Sequence, residues 1–185
     1  METIENLKQI LQQNLSVYRY QHSIHTMEEA LQLAKRYHYK EEIAAKTALM
    51  HDVAKELSEE EITTWLQHHQ KFKTIPAKVL HGYIGAEIVK DYQFTKEMQE
   101  AIKYHSTGRK KMTTLDKIVF LADKIEKGKT YPGIEQERQM AKIDLDKAVI
   151  LCMQNQIKHL QQEKKEIDPK VFQALEDLQQ KINVT

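Results

Sequence analysis

The sequence predicts an all-α protein, and three observations predict it. Helix breakers are scarce, with five glycines and three prolines in 185 residues. The strong helix formers Ala, Leu, Lys, Glu and Gln dominate the chain. Apolar residues recur at spacings of three and four, and no stretch shows the two-residue alternation of a strand.

The elements follow in order. Ile4 to Asn14 is a short amphipathic helix. Val17 to Tyr37 is longer, with Ile24, Met27, Ala30, Leu31 and Ala34 along one apolar face. Glu41 to about Ala54 is apolar on several sides, through Ile43, Ala44, Ala45, Ala48, Leu49 and Met50, which marks it as central. Ser58-Glu59-Glu60-Glu61 is a capping box that opens a helix through Trp65 to about His68. Lys71 to Pro76 reads as a loop. Helices follow over about Ala77 to Tyr92, Thr95 to Tyr104 and Thr114 to Glu126, with Ser106 to Lys111 as the loop between the last two. Gly128 to Gly133, containing Tyr131-Pro132-Gly133, is a turn. Leu145 to Lys164 and Pro169 to Ile182 close the chain, and Asp168-Pro169 gives the last helix an N-cap acid and a proline at its first position. The expectation is one domain over residues 1–185, a bundle of about seven to nine helices. Its chemistry is expected within about residues 17–140. The helices over about 145–183 either cap that core or pair with a second copy as a homodimer.

Composition narrows the function. At this length one core buries roughly 70% of the unfolded chain's surface, so neither a disulfide nor a structural metal is required for stability. Net charge is +1, from 28 basic and 27 acidic residues, which argues against a broad nucleic-acid or membrane surface. The single cysteine, Cys152, lies in an apolar run and reads as buried and inert, which suits a reducing compartment. Met1-Glu2-Thr3-Ile4-Glu5-Asn6 lacks the basic start and apolar stretch of a signal peptide. No apolar run approaches the ~20 residues of a membrane span, so a cytoplasmic protein is expected.

The chemistry-bearing residues are His22, His51, Asp52, His81, His105 and Asp123. Four imidazoles and two carboxylates suffice for two transition metals about 3.5–4 Å apart, the usual arrangement for phosphate-ester cleavage by metal-activated water. Taken singly, each has a plainer reading: a helix-end histidine, or for Asp123 an i,i+4 pair with Lys127. The pair His51-Asp52 is the sharpest signal, because an apolar helix runs directly into it. Adjacent helical residues point about 100° apart, so both reach one ion only from a helix end or a groove wall. Gly82 and Gly85, after His81, cost a helix roughly 1 kcal/mol each against Ala and suggest close packing or ligand access. Lys55 lies one turn past His51 and faces the same cleft. Arg109 follows His105 through Ser106-Thr107-Gly108, a small-residue loop with one fixed cation. His38, His68, His69 and His159 are set aside as solvated or isolated, His25 is a near miss three residues after His22 on a shared helix face, and Tyr83 and Tyr104 read as core residues that could instead stack on an adenine.

The ordered set His22…His51-Asp52…Asp123 resembles the HD-domain superfamily of metal-dependent phosphohydrolases, and His81 and His105 resemble its two-metal branch. The match is closer still to the YqeK family of HD hydrolases. It is carried by Arg19-Tyr20-Gln21-His22-Ser23, His51-Asp52-Val53-Ala54-Lys55, His81-Gly82-Tyr83-Ile84-Gly85-Ala86, Tyr104-His105-Ser106-Thr107-Gly108-Arg109 with Met112, and Ala122-Asp123-Lys124-Ile125-Glu126 with Tyr131-Pro132-Gly133.

That resemblance implies symmetrical hydrolysis of diadenosine tetraphosphate to two ADP in an all-helical domain with a di-iron centre. By analogy His22, His51, Asp52 and Asp123 hold one metal, Asp52, His81 and His105 hold the other, and a water shared by both attacks an inner phosphorus. Residue chemistry alone also admits Mn, Co or Zn. Asp52 and Lys55 are the expected catalytic residues. Arg109, Ser106, Thr107, Gly108 and Arg138 are expected to contact phosphate. Lys129 stands near where the family often has an arginine, and keeps the charge without the bidentate fork. The alternatives are another nucleotide phosphohydrolase (a phosphomonoesterase, pyrophosphatase or cyclic-dinucleotide phosphodiesterase) and a non-catalytic nucleotide-sensing or RNA-associated module.

Overall fold

A computed structural model describes residues 2–183, so Met1 and the last two residues of the expected domain lie outside the described residues. Among the described residues there are ten α-helices and no strand. They are α1 (Ile4–Asn14), α2 (Val17–Arg36), α3 (Glu41–Leu49), α4 (Glu59–His68), α5 (Ala77–Ile88), α6 (Lys96–Tyr104), α7 (Thr114–Ile125), α8 (Ile134–Ala141), α9 (Leu145–Gln162) and α10 (Pro169–Asn183).

The helix starts are chemically explicit. The side chains of Thr3, Ser16, Thr95 and Asp144 each accept a backbone N–H from the first turn of their helix. The Ser58-Glu61 capping box forms as expected, and Thr113-Asp116 forms a second one. The count exceeds the expected seven to nine by one helix, α8. Its eight residues are mostly polar, and it starts from Gly133 in the left-handed region at φ 93°. Ile134, Glu137 and Ala141, spaced at three and four, are its buried face.

Helix α7 is the axle of the molecule. Ten of its twelve residues are buried, and it packs against α2, α3, α6, α8 and α9. With Leu49 and Met50 from α3 and its cap, Ile102 from α6 and Val149 from α9, it forms the main core, which reaches from Leu7 to Leu178. Fully burying a Leu, Ile or Phe side chain contributes about 1.5–3 kcal/mol. A smaller cluster of Ala54, Phe72, Leu80, Tyr83 and Ile84 supports α4, which has no buried residue of its own.

The expected continuation of α3 to Ala54 does not form. The helix ends at Leu49, and the chain tightens through bonds from His51 N to Ala48 O, Val53 N to Met50 O and Lys55 N to Asp52 O. These three-residue turns end the helix where two neighbouring side chains, His51 and Asp52, turn inward together. Among the described residues no helix is long and apolar enough to cross a membrane.

Candidate metal centre

Six side chains converge from five places in the chain: His22 on α2, His51 and Asp52 in the turn after α3, His81 on α5, His105 capping α6 and Asp123 on α7. All six are buried, none more than 8% exposed. Gly82 brings the two halves together, since a Cβ there would lie 2.8 Å from the backbone oxygen of Lys103. Close packing between α5 and α6, rather than ligand access, therefore explains that glycine.

The imidazoles are oriented by their outer nitrogens. His51 Nδ1 lies 2.7 Å from Ala48 O, and His105 Nδ1 lies 2.6 Å from Ile102 O. Each ring donates an N–H to a carbonyl three residues back, so its Nε2 carries the lone pair that faces the centre. His22 reaches the same state through a side chain, with Nδ1 3.2 Å from Glu126 Oε1. Glu126 is itself buried, and its other oxygen meets His25 Nδ1 at 3.2 Å and accepts the Gly128 N–H.

Asp52 stands between two sets of donors. Its Oδ2 lies 3.5 Å from His51 Nε2 and 3.8 Å from His22 Nε2, while its Oδ1 lies 3.4 Å from both His81 Nε2 and His105 Nε2. Asp123 Oδ1 completes the first side, 3.1 Å from His22 Nε2 and 3.7 Å from His51 Nε2. His22-His51-Asp52, His51-His105-Asp123 and Asp52-His81-His105 each bring their ligand atoms close enough to hold one ion.

The residues fit a metal on their own chemistry. His22 Nε2 and His51 Nε2 are fully buried without a hydrogen-bond partner. Both are acceptors by the tautomer argument, and they face carboxylate oxygens, which are acceptors too. A buried arrangement of that kind is costly unless a cation lies between the groups. Imidazole nitrogen with carboxylate oxygen is a donor set for first-row transition metals.

Two carboxylates facing one imidazole call for positive charge: burial works to lower the His51 pKa, but Asp52 and Asp123 outweigh it and raise it. Burial pushes His81 down to about 2, aided by His105 and Lys55, so its ring is neutral. Burial works to raise the Asp52 carboxyl, but His51 and His105 outweigh it and hold the group well below the usual carboxylate range. Asp123 is likewise held low against burial, by Lys124 and His22.

Three cations ring the centre. Arg19 Nη1 lies 2.8 Å from Asp52 Oδ2, and Lys124 Nζ lies 2.9 Å from Asp123 Oδ2. Lys55 Nζ is 3.4 Å from both ring nitrogens of His81. Burial lowers the pKa of Lys55, with repulsion from Arg19 and Lys124 opposing the pull of Asp52 and Asp123.

The other expected phosphate contacts are distributed unevenly. Ser106 reaches the centre, with Oγ 3.0 Å from His105 Nε2 and 3.4 Å from His81 Nε2. Thr107 and Gly108 are buried, and Thr107 Oγ1 donates to the carbonyl of Gly108. Gly108 adopts φ +69°, and a Cβ there would strike Met153. Arg109 is paired with Asp116, at 3.1 Å from Nε and 2.8 Å from Nη2. Arg138 donates to the carbonyls of Ile125, Glu126 and Lys129 and to Glu135. Lys129 takes part through its backbone, donating to Glu126 O and accepting from Arg138. Tyr83, 5% exposed, and Tyr104 pack edge to face at 5.9 Å.

Sequence reasoning missed four residues at this centre: Arg19, His25, Lys124 and Glu126. Spacing alone points to three of them. Arg19 and His25 lie three residues before and after His22, and Glu126 follows Asp123 by three, so each falls on its ligand's helix face.

The HD-domain family model matches residues 19–128. The symmetrical bis(5'-nucleosyl)-tetraphosphatase of Halalkalibacterium halodurans is 36% identical over 166 residues, 87% of this chain and 89% of that protein. The enzyme of the same name from Bacillus subtilis is 30% identical over 171 residues, 88% of this chain and 90% of that protein. A solved structure of an HD superfamily hydrolase from Clostridium acetobutylicum, described as involved in NAD metabolism, superposes with a TM-score of 0.88 at 29% identity, over 98% of this chain and 99% of that one.

Proposed function

The chain belongs to the HD-domain family, and from that premise we propose that it hydrolyses diadenosine tetraphosphate symmetrically, adding one water to give two ADP. The substrate is that of the relatives from H. halodurans and B. subtilis, which align along most of the chain. One observation supports the two-metal reading: the two oxygens of Asp52 face separate pairs of histidine nitrogens.

His22, His51, Asp123 and Asp52 Oδ2 would hold one ion, and Asp52 Oδ1, His81 and His105 the other. Iron is the preferred metal, and Mn, Co and Zn suit the same donors. Two such cations, when bound, supply Lewis acidity and a water acidic enough to act as nucleophile near neutral pH.

The chain's own groups do the rest. Ala48 O, Ile102 O and Glu126 hold three imidazoles in the tautomer that presents Nε2. Lys55, at the edge of His81, stabilises charge on the phosphoryl oxygens as the bond breaks. Ser106 donates a hydrogen bond to the same group. A nucleoside diphosphate is already a fair leaving group, so positioning and charge suffice. Arg109 and Arg138 brace the loops that carry Ser106 and Glu126, and Thr107, Gly108 and Lys129 shape those loops. We read the whole chain as one working domain, in the cytoplasm, with a dinucleoside polyphosphate as partner and the α9–α10 end available to a second copy.

Product analysis tests the reaction. Metal-loaded protein and diadenosine tetraphosphate should give ADP as sole product, and Asp52→Ala should give none. AMP plus ATP would place attack at an outer phosphorus and overturn the symmetrical reading.

A further inference from the structure

The proposed reaction uses Glu126 to orient His22 and leaves His25 without a part. The helix does not fix Glu126, which is the C-cap of α7 with its backbone turned out of the helix at ψ 156°. Its carboxyl group is buried all the same, and it meets three donors. Oε1 faces His22 Nδ1 at 3.2 Å, while Oε2 faces His25 Nδ1 at 3.2 Å and accepts the Gly128 N–H. The two imidazoles stand three residues apart on one face of α2, and each takes a different oxygen. Two donors on one helix fix the plane of a carboxylate, whereas a single hydrogen bond leaves it free to turn about its last carbon–carbon bond.

The neighbours of His25 determine its tautomer. A carboxylate accepts, so Nδ1 carries the proton. Nε2 lies 2.8 Å from Gln21 Nε2, an amide nitrogen that only donates, so Nε2 carries the lone pair. A line of hydrogen bonds thus runs from Gln21 through His25 and Glu126 to His22, with each donor facing an acceptor.

Gly128 is the second observation. A Cβ there would lie 3.0 Å from both His25 Nδ1 and Glu126 Oε2, tighter than ordinary packing. Gly128 does not take a positive φ, so the His25–Glu126 contact, and not the turn, calls for a residue without a side chain.

We propose that His25, steadied by Gln21, is a positioning residue of the metal centre: it grips one oxygen of Glu126 so that the other stays on His22 Nδ1 and His22 Nε2 stays aimed at the ion. This rests on the metal-centre reading given above. His25 touches neither substrate nor ion, and acts only through Glu126.

The test is Zn²⁺ affinity, by competition with a chelating indicator, with the unfolding midpoint of metal-free protein measured alongside. His25→Leu should lower Zn²⁺ affinity about three- to tenfold, less than the loss expected when Glu126 itself is changed. His25→Asn places an amide N–H where Nδ1 stands and should recover most of that loss. Gly128→Ala removes no hydrogen-bonding group, and should lower affinity by pressing on the same contact. In a Glu126→Gln background His25→Leu should have no further effect. Nitrogen NMR of the Zn²⁺-loaded protein should find the His25 proton on Nδ1. Wild-type affinity in His25→Leu overturns the role, even where the unfolding midpoint falls, because His25 then serves stability alone. A loss that His25→Asn does not recover, a loss that adds in full to that of Glu126→Gln, or a His25 proton on Nε2 alone overturns it as well. None of these readouts depends on turnover. Wild-type protein that binds Zn²⁺ yet leaves diadenosine tetraphosphate uncut refutes the proposed reaction and leaves the role of His25 standing. Wild-type protein that takes up no Zn²⁺ refutes the metal reading and the role with it.

Discussion

The two sides of Asp52 are built differently. On the Oδ2 side every group has a brace behind it: His22 leans on Glu126, His51 on Ala48 O, Asp123 on Lys124 and Asp52 itself on Arg19. On the Oδ1 side His105 has its carbonyl, whereas His81 meets Lys55, Ser106, His105 and Asp52, all at 3.2–3.4 Å. The braced side is contributed by α2, α3 and α7, whose apolar faces form the main core. The other side stands between α5 and α6, beside the smaller cluster. The lesson is a division of labour. A ligand set backed by the core keeps its geometry when unoccupied groups repel, whereas a looser set leaves room for a substrate oxygen to enter.

The strongest way to break this comparison is to remove the carboxylate common to both sides. Asp52→Ala is expected to lower kcat/KM for diadenosine tetraphosphate by more than about 10³-fold, and to abolish tight metal binding by elemental analysis. Next come the two sides taken separately. His51→Ala should lose metal from the braced position and with it all tight binding. His81→Ala should retain about one metal per chain while losing most turnover, because all four ligands on the Oδ2 side and their braces remain. Equal metal loss in both variants would refute the asymmetry.

A smaller effect sharpens the same point. Glu126→Gln keeps the size of the side chain but lets either end of the amide face His22 Nδ1. Metal affinity is expected to fall about 10- to 100-fold, the usual cost of losing a partner behind a metal-binding histidine. A competition titration against a chelator measures it. The smallest effect lies outside the centre. Ser58→Ala removes the N-cap of α4 and should cost about 1 kcal/mol or less in denaturant unfolding, with metal stoichiometry unchanged. A change in metal content there would tie α4 to the centre, against its lack of buried residues.

Much of the fold was legible because it depends on local chemistry. Ser58-Glu59-Glu60-Glu61 marks a capping box wherever it sits, and Asp168-Pro169 starts a helix on its own. The end of α3 was not legible. Met50, Val53 and Ala54 extend the apolar pattern past the pair, and only the tightening onto Ala48 O and Met50 O turns His51 and Asp52 inward. Helix α8 was overlooked because its buried face includes a carboxylate, Glu137. That group is satisfied by the hydroxyl of Tyr131 and, at 2.7 Å, by Asn155. No hydropathy pattern reveals a partner eighteen residues away.

By itself, the sequence determined the all-helical class, the positions of most helix starts and the six side chains that meet at the centre. Helix propensity, capping and residue chemistry act over a few neighbours, and so they are written in the order of the chain. The tertiary structure decided which nitrogen of each histidine faces inward, which carboxylate lies between the two sets, and which cations remain at the rim. It separated Arg109 and Arg138, engaged with Asp116 and backbone carbonyls, from Arg19, Lys55 and Lys124, which ring the centre. The reason is distance. A hydrogen bond or ion pair acts over about 3 Å, and which groups come that close is set by packing of helices far apart in sequence.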